Sequence, residues 1–450
     1  MLVFHVRLGR FGGRVAGVAL LSLAALVLLS HFKAPWGHLS RRIARPAPAT
    51  LRTCSQSDDL AMPSPSELSA TLESLLTVPA NEVGRIAICA SLRNEGRFIN
   101  EWLLYYRVLG VDRFYLYDSG SDDDTLSALQ PWLRTGTVQL HRFRNNQEGH
   151  YQTTALDTCS RTYGPKTEWL VEADCDEFLV VVPTLLSTDH SRPLELSDMP
   201  NRPLYILLDS NWLYKNADAV VVSRLTWKNA GFERLPDGVS LLSLQTVREY
   251  QHSVLFDKLL FTKSILHTGK KRTGWSIPGA HFLRSPHATA ARIVTSNGHL
   301  VDTVPYRADT DEGLQYEGRF SGGRIFEPLV LYHYVERDLQ DCYSKLRVAH
   351  KLRKGGYDVY EDPDSHTPIY DQDGFYGAAT TDRTMADSWF GRFLPPLLAA
   401  LRARERDDVE ARRGPLLPQI IEPHPELVAE WVAEGLDPTN GMPLTVTKDA

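Results

Sequence analysis

Several features are scarce in this sequence of 450 residues, and each absence excludes a class of protein. There are only five cysteines, an odd number without a Cys-x-x-Cys pair, so neither a disulfide framework nor a zinc ribbon is expected. No unit repeats at a period of roughly 20 to 50 residues, which disfavours solenoids and propellers. No Asn-x-Ser/Thr acceptor for N-glycosylation occurs. What remains is an ordinary globular composition, 43% hydrophobic and 23% charged.

Charge is distributed unevenly along the chain. The net charge is −6, which argues against a nucleic-acid-binding protein. No acidic residue precedes Asp58, whereas the same segment carries several arginines. These basic residues flank a hydrophobic stretch and are not spread over a binding face, so they indicate a membrane-proximal segment.

The hydrophobic stretch runs from Val15 to Phe32, eighteen residues between Arg14 and Lys33. As a helix it would reach about 27 Å, close to the hydrocarbon thickness of an early secretory membrane. A cleavable signal peptide is the alternative, but no small-x-small cleavage site follows Leu29. We therefore expect a single transmembrane signal anchor at 15–32 after a short cytoplasmic tail at 1–14.

The remainder divides by composition. Residues 33–78 are rich in Pro, Ser, Ala and Arg and are expected to form a stem. We expect one compact domain at 79–395 and a helical C-terminal extension and tail at 396–450. No second apolar stretch of spanning length follows, and the flanking charges alone do not decide which side of the membrane the domain occupies.

Apolar periodicity predicts alternating strands and helices from residue 85 onward. Strands are predicted at Ile86 to Leu92, Val111 to Tyr117, Thr137 to Phe143 and Trp169 to Ala173, and helices at Phe98 to Leu109, Leu126 to Leu133 and Tyr151 to Tyr163. Such alternation indicates an α/β fold, a doubly wound, mainly parallel sheet flanked by helices on both faces.

Polar clusters follow three of these strands, at 93–95, 118–124 and 174–177. In such sheets ligands bind beyond the carboxyl ends of the strands, so we expect the clusters to share one crevice. Asp118 is a candidate acceptor for a base or ribose, or else a turn-forming residue. Asn94 is a helix-capping candidate that can also face the crevice.

Asp174 and Asp176 alternate with Cys175 at a strand end. Carboxylates two residues apart on an extended chain project to the same side, and hard oxygen ligands suit Mg²⁺ or Mn²⁺. Such an ion would bridge the oxygens of a diphosphate. A solvated acidic turn is the alternative; the position in the alternating pattern favours the metal site.

Three stretches together are similar to a known family. They are Cys89 to Glu95 followed by Glu101-Trp102, then Gly110 to Asp122, then Asp174 to Phe178. In this series the chain resembles glycosyltransferase family 92, within the nucleotide-sugar-dependent GT-A superfamily. Weaker matches extend the resemblance over about residues 85 to 355.

The resemblance implies a GT-A-like fold, an inverting mechanism, a UDP-sugar donor with galactose favoured, and a glycan or glycoconjugate acceptor. It implies nucleotide-sugar contacts from Arg93, Asn94, Glu95, Asp118 and Asp174, with Asp174 and Asp176 holding Mn²⁺ or Mg²⁺. It also implies a catalytic domain in the lumen of the Golgi or another secretory-pathway membrane. The chain departs from the family between Trp227 and Glu233, where a usual histidine is missing. Acceptor specificity is therefore the least transferable property.

A third metal ligand is commonly a downstream histidine in this superfamily. His281 is our first candidate and His333 the second, because each lies in a strand-like context. A structural histidine that makes hydrogen bonds is the alternative for both.

Inverting transfer needs a carboxylate that deprotonates the acceptor hydroxyl. Glu233, ahead of Asp237, is the candidate base, because both fall in the segment that resembles the acceptor side of the family. Both can equally be surface-loop residues. A basic cluster that includes Lys263, Lys270 and Arg272 either contacts the diphosphate or forms a solvated loop.

Two other functions compete with the transferase. One is a metal-dependent phosphodiesterase or pyrophosphatase using the same carboxylates, although a two-ion hydrolase usually needs a larger ligand cluster. The other is a non-catalytic glycan-binding descendant of the fold, in which loss of one aspartate would be expected. The presence of Asp174 and Asp176 favours the transferase.

Overall fold

A computed structural model describes most of the chain from residue 62 onward. The described residues are 62–78, 85–144, 151–182, 192–228, 232–249, 262–269, 274–285, 288–307, 312–317, 325–335, 337–341, 344, 379–410, 414–439 and 441. The predicted tail at 1–14, the signal anchor at 15–32 and the first part of the stem lie outside them. No helix within the described part is both long and apolar enough to cross a membrane.

Helices and strands alternate over the first half of the described chain. The helices are α1 Pro65–Leu76, α2 Ile99–Leu109, α3 Thr125–Ala128, α4 Gln130–Arg134, α5 Tyr151–Tyr163, α6 Pro203–Ser210, α7 Trp212–Lys215, α8 Leu241–Leu244, α9 Trp389–Glu410 and α10 Pro425–Ala433. The strands are β1 Ile86–Leu92, β2 Arg113–Asp118, β3 Val138–Phe143, β4 Trp169–Glu172, β5 Glu177–Val181, β6 Ala219–Thr226, β7 Val247–Glu249, β8 Thr262–His267, β9 Ser276–Gly279, β10 Phe282–Ser285, β11 Ile293–Thr295, β12 Val304–Arg307, β13 Glu312–Tyr316, β14 Leu329–His333, β15 Ala379–Thr381 and β16 Gln419–Ile421.

Ten strands form one central sheet in the order β16-β3-β2-β1-β4-β8-β6-β14-β5, with β11 beside β6. Neighbours from β16 to β4 are parallel, and β6 is parallel to β11 and β14. Only β8, between β4 and β6, and the β14–β5 pair are antiparallel. The predicted α/β fold with a mainly parallel sheet is confirmed.

The helix α2 covers one face of this sheet through large aromatic side chains. Trp102 and Tyr106 are fully buried, and the Trp102 Nε1 and Tyr106 hydroxyl groups donate to the Glu177 carbonyl at 3.0 and 3.1 Å. Gly110 ends the helix with a left-handed φ of 101°, a conformation that glycine adopts without steric cost. These contacts fix α2 against the start of β5.

The helix α5 covers the opposite face and is bonded covalently to the sheet. A disulfide joins Cys89 of β1 to Cys159 of α5, with a Cα–Cα distance of 6.0 Å. Cys175 is a buried free thiol. The sequence excluded a disulfide framework, and its odd cysteine count did not reveal this single buried bond.

The predicted domain boundaries differ from the folded elements at both ends. The end of the predicted stem forms α1, whose Leu72, Leu75 and Leu76 are buried in the main core. At the other end α9 runs through the predicted boundary between residues 395 and 396. Further on, β16 pairs with β3 at the sheet edge. Both α1 and the segment from α9 to β16 therefore belong to the same folded domain as the central sheet.

Candidate active site

The loops that follow β1, β2 and β4 leave the sheet at the same edge. These strands are parallel neighbours, with Leu92 beside Asp118 and Cys89 beside Glu172 in the register. Their carboxyl ends therefore lie side by side. The three predicted polar clusters follow directly from these ends.

Asn94 fastens the first loop to the second. Its side-chain amide donates to Asp122 Oδ1 at 2.7 Å, and the Asp122 backbone N–H donates back to Asn94 Oδ1 at 2.9 Å. The Asn94 N–H donates to Ser121 Oγ at 3.0 Å. Asn94 has a φ of 58°, a left-handed conformation that asparagine tolerates better than most residues. It therefore shapes the crevice and does not cap α2.

Asp118 organises the second loop in the same way. Its Oδ1 accepts hydrogen bonds from the N–H groups of Gly120 and Ser121 at 3.1 and 2.8 Å, and its Oδ2 pairs with Arg142. This is an Asx turn completed by an ion pair. Arg93 follows β1 directly, and its Nε is buried without a hydrogen-bond partner in the described residues.

Glu95 is committed to an ion pair that the sequence did not reveal. Its carboxylate pairs with the fully buried Arg337, which also binds Asp341 at 2.9 and 2.8 Å. The Glu95 N–H donates to Thr125 Oγ1 at 2.8 Å. Glu95 thus ties the loop after β1 to a segment 242 residues away, and no local pattern marks Arg337 as its partner.

The acidic loop between β4 and β5 is a tight turn with its ends hydrogen-bonded together. The Glu177 N–H donates to the Asp174 carbonyl at 3.0 Å, and the Asp174 N–H donates to Glu177 Oε2 at 2.9 Å. Gln152 of α5 donates to Asp174 Oδ1 at 3.0 Å. The Asp174 side chain is 30% exposed and that of Asp176 12%, so both border the crevice.

Lys263 of β8 is buried among carboxylates of this loop. Its ammonium lies 2.9 Å from Asp174 Oδ2, 3.2 Å from Glu172 Oε1 and 3.3 Å from Glu177 Oε2. Of the two alternatives for the basic cluster, the solvated loop does not apply to Lys263, because its strand lies in the centre of the sheet. The other members of the predicted basic cluster lie outside the described residues.

Burial and the contacts among Lys263 and its three carboxylate neighbours set the protonation states of these side chains. Burial alone would raise the pKa of Asp174, but the Lys263 ammonium outweighs it and the pKa is lowered. Burial raises the pKa of Glu172 and of Glu177, an effect that Lys263 only partly offsets. The pKa of Lys263 is raised well above its usual value, because its carboxylate neighbours outweigh the effect of burial. Lys263 is therefore charged and Asp174 ionised at neutral pH.

The two histidines take different positions around the acidic loop. His333, at the end of β14, places Nε2 3.5 Å from Asp176 Oδ1. His281 donates from Nδ1 to the Thr262 carbonyl at 2.8 Å, and its N–H donates to Glu172 Oε1 at 3.0 Å. Burial lowers the pKa of His281 to about 4, so its ring is neutral and Nε2 carries the lone pair.

The donor set around Asp176 fits a hard divalent cation. Three carboxylates, of Glu172, Asp174 and Glu177, surround the single ammonium of Lys263, and one oxygen each of Glu172 and Glu177 is buried without a hydrogen-bond partner in the described residues. Within the described residues, no group of three or more His, Cys, Asp or Glu side chains is placed to hold a metal ion. Mg²⁺ and similar ions need only one or two carboxylates when substrate phosphates supply further ligands.

The two candidate bases belong to a different segment, residues 232–240 before α8, and both are exposed. Asp237 pairs with Arg234 at 3.0 Å and lies 3.6 Å from Arg97 Nε, and its side chain is 71% exposed. Glu233 is exposed, and its carbonyl accepts a hydrogen bond from the Gln340 N–H at 3.1 Å. Within the described residues, no hydrogen bond or ion pair links either carboxylate to the acidic loop.

Comparison with known proteins identifies the segment that carries the three loops. Residues 85–206 match the model of glycosyltransferase family 92. A family 92 protein of Ricinus communis is 44% identical over 96 residues, which are 21% of this chain and 16% of that protein. A galactan beta-1,4-galactosyltransferase of Arabidopsis thaliana is 33% identical over 90 residues, 18% of each chain. The chain thus spans less than a fifth of the length of these relatives. The resemblance predicted from the three motifs is confirmed.

A solved structure is also similar in part. The crystal structure of residues 1–349 of S. aureus TarS in complex with UDP has a TM-score of 0.25 and 13% identity, covering 41% of this chain and 47% of that one. At this TM-score the likeness carries no conclusion about function.

Proposed function

We propose that this chain, which carries a glycosyltransferase family 92 segment at residues 85–206, is a metal-dependent galactosyltransferase. It transfers galactose from UDP-galactose to a hydroxyl of a glycan, with inversion at the anomeric carbon. It is anchored by residues 15–32, with the catalytic domain in the lumen of the Golgi or another secretory compartment. The named galactosyltransferase among the relatives supports galactose and suggests a β-1,4-galactan as the first acceptor to test.

The observation that carries the proposal is the acidic loop at the carboxyl edge of the sheet. Asp174 and Asp176 lie beside the loops after β1 and β2, inside the matched segment, with His333 near Asp176. When bound there, Mn²⁺ or Mg²⁺ would offset the charge that builds on the departing UDP. Asp174 and Asp176 are the side chains that would hold it together with the phosphates of the donor, and His281, ahead of His333, remains a predicted further ligand.

The remaining residues of the proposed site bind and orient the donor and the acceptor. Asn94 and Asp118 hold the two loops that border the nucleotide cleft, and Arg93 presents a guanidinium whose Nε has no described partner. Lys263 fixes the Asp174 carboxylate. Glu233 takes the proton from the acceptor hydroxyl, ahead of Asp237, a step that typically contributes 10² to 10⁴-fold.

The disulfide supports the luminal location. The bond between Cys89 and Cys159 is buried between β1 and α5. Disulfides of this kind persist in oxidising compartments and are rare in the cytosol.

A donor screen tests the function. The purified full-length chain is incubated with Mn²⁺ and each UDP-sugar, with and without β-1,4-galacto-oligosaccharide, and UDP release is measured. We expect acceptor-dependent release from UDP-galactose, its loss with EDTA and in Asp176→Asn, and its retention in Asp209→Asn, a surface aspartate that pairs with Lys215. Full transfer by Asp176→Asn in EDTA would overturn the metal-dependent function.

A further inference from the structure

A cavity of about 380 Å³ lies outside the acidic loop, between the first turn of α2, α3, the loop 235–240 and α9. Its walls include Gly96, which follows the 93–95 cluster, Asp124, the last residue of the 118–124 cluster, and Arg402 from α9. The volume is at the lower end of the range for small-molecule pockets, about 300 to 1,000 Å³. It suits one or two sugar rings.

The walls are fixed by buried contacts. Arg97 donates to Asp338 Oδ2 at 2.8 Å and to the Leu235 carbonyl at 2.9 Å, and the Asp338 side chain is fully buried. Asn100 Oδ1 accepts from Trp132 Nε1 at 2.7 Å. The cavity is therefore held open by the fold itself, which lowers the ordering cost of binding.

Two glycines make room for a carboxylate and a guanidinium at this cavity. A Cβ at Gly96 would lie 2.0 Å from Asp124 Oδ1, and a Cβ at Gly238 would lie 2.3 Å from Arg402 Nη1. Gly238 also has a left-handed φ of 95°. Both charged groups thus rest on bare backbone, an arrangement that any larger residue at either position would disturb.

These two charged groups have unused hydrogen-bonding capacity. Within the described residues, neither side chain makes a hydrogen bond or ion pair. Burial raises the pKa of Glu101, and hydrogen bonds from Ser240, Leu242 and Leu241, with the charge of Arg402, partly offset it. Those three donors lie 2.5 to 3.0 Å from the Glu101 oxygens, so Arg402 acts on Glu101 only at longer range.

An acceptor carboxylate and a donor guanidinium in one small cavity match a vicinal diol, because each sugar hydroxyl both donates and accepts. Ala128, Pro236 and Val239 add apolar wall for the C–H face of a ring. The two aspartates and two arginines of the lining balance in charge, which favours a neutral ligand over a diphosphate or a uronate. We propose that this cavity binds one neutral glycosyl unit of the acceptor chain, an inference that rests on the proposed function for the identity of the glycan.

The test is binding of β-1,4-galactotetraose to the full-length chain without donor, measured by calorimetry, for wild type, Arg402→Met, Asp124→Ala and Arg404→Met. Arg404 lies two residues further along α9, pairs with Glu73 and does not line the cavity, so it is the matched control. We expect roughly ten- to hundred-fold weaker binding for the first two variants, the size of a lost charged hydrogen bond, and wild-type binding for Arg404→Met.

UDP release from UDP-galactose is measured on the same preparations. Binding that depends on Arg402 and Asp124 supports the cavity even if no transfer occurs. Equal binding by all four proteins, or no binding by wild type, would overturn the proposed glycan site. The transferase function would still be decided separately, by UDP release. Unchanged melting temperatures show that the variants are folded.

Discussion

Replacing Lys263 by Met tests whether one buried ammonium holds the acidic loop together. Its Nζ lies within 3.3 Å of three carboxylates, those of Glu172, Asp174 and Glu177. The Lys263 side chain is 2% exposed, and those of Glu172 and Glu177 are 1% and 0% exposed, whereas that of Asp174 is 30% exposed, so water reaches only one of the three carboxylates. Removing one partner of such a buried group typically costs about 3 to 5 kcal/mol. That is a large share of the roughly 5 to 15 kcal/mol by which domains are stable.

The assay is guanidinium unfolding at pH 7 in EDTA, followed by circular dichroism. Lys215→Met is the control, because its pair with Asp209 is 46% exposed on both sides and is expected to contribute less than about 1 kcal/mol. In a double-mutant cycle, Glu172→Gln should recover about 1 to 3 kcal/mol of the Lys263→Met loss, because it removes one of the unpaired charges. A Lys263→Met protein within about 1 kcal/mol of wild type, without coupling to Glu172, would refute this assignment.

Three other predictions concern stability. Burial lowers the pKa of His141 to about 4, so below about pH 6.5 the unfolded chain takes up a proton that the folded chain excludes. Between pH 7 and 5, the unfolding free energy of wild type, measured in urea, should therefore fall by about 2 kcal/mol more than that of His141→Gln. Equal losses would contradict this. Replacing Cys89 and Cys159 by Ala removes a disulfide between residues 70 apart in sequence and should lower the unfolding free energy by about 2 to 5 kcal/mol in the same assay. An unchanged midpoint would show that the bond does not form. Deleting residues 1–52 should leave a cooperative melting transition, whereas deleting 1–78 removes the buried leucines of α1 and should lower the melting temperature; equal melting of both would place α1 outside the core.

The first half of the sheet was predictable because its signals are local. Ile86–Leu92 and Tyr151–Tyr163 were predicted with the bounds they have in the structure, because an unbroken apolar run and a helical period are visible within one segment. The β16 strand has only three residues, too few for a period, and was missed. The buried leucines of α1 follow a proline-rich stretch that suggested a stem.

Partners distant in sequence explain what was missed at the site. Lys263 lies 89 residues from Asp174, and Arg337 lies 242 from Glu95, so neither ion pair has a local pattern. Lys263 also stands in a basic neighbourhood that suggested a loop. The strand-end position of Asp174 and Asp176, in contrast, follows from the order of strands alone, since parallel neighbours end at the same edge.

The central claim, inverting galactosyl transfer, is tested most directly by the anomeric configuration of the product. UDP-α-galactose and a β-1,4-galacto-oligosaccharide are incubated with the full-length chain and Mn²⁺, and the new glycosidic bond is examined by proton NMR. Direct displacement, with Glu233 removing the acceptor proton, predicts a β-linked galactosyl unit and its loss in Glu233→Gln, which should still bind UDP-galactose. An α-linked product would contradict inversion, and free galactose without any new linkage would contradict transfer itself.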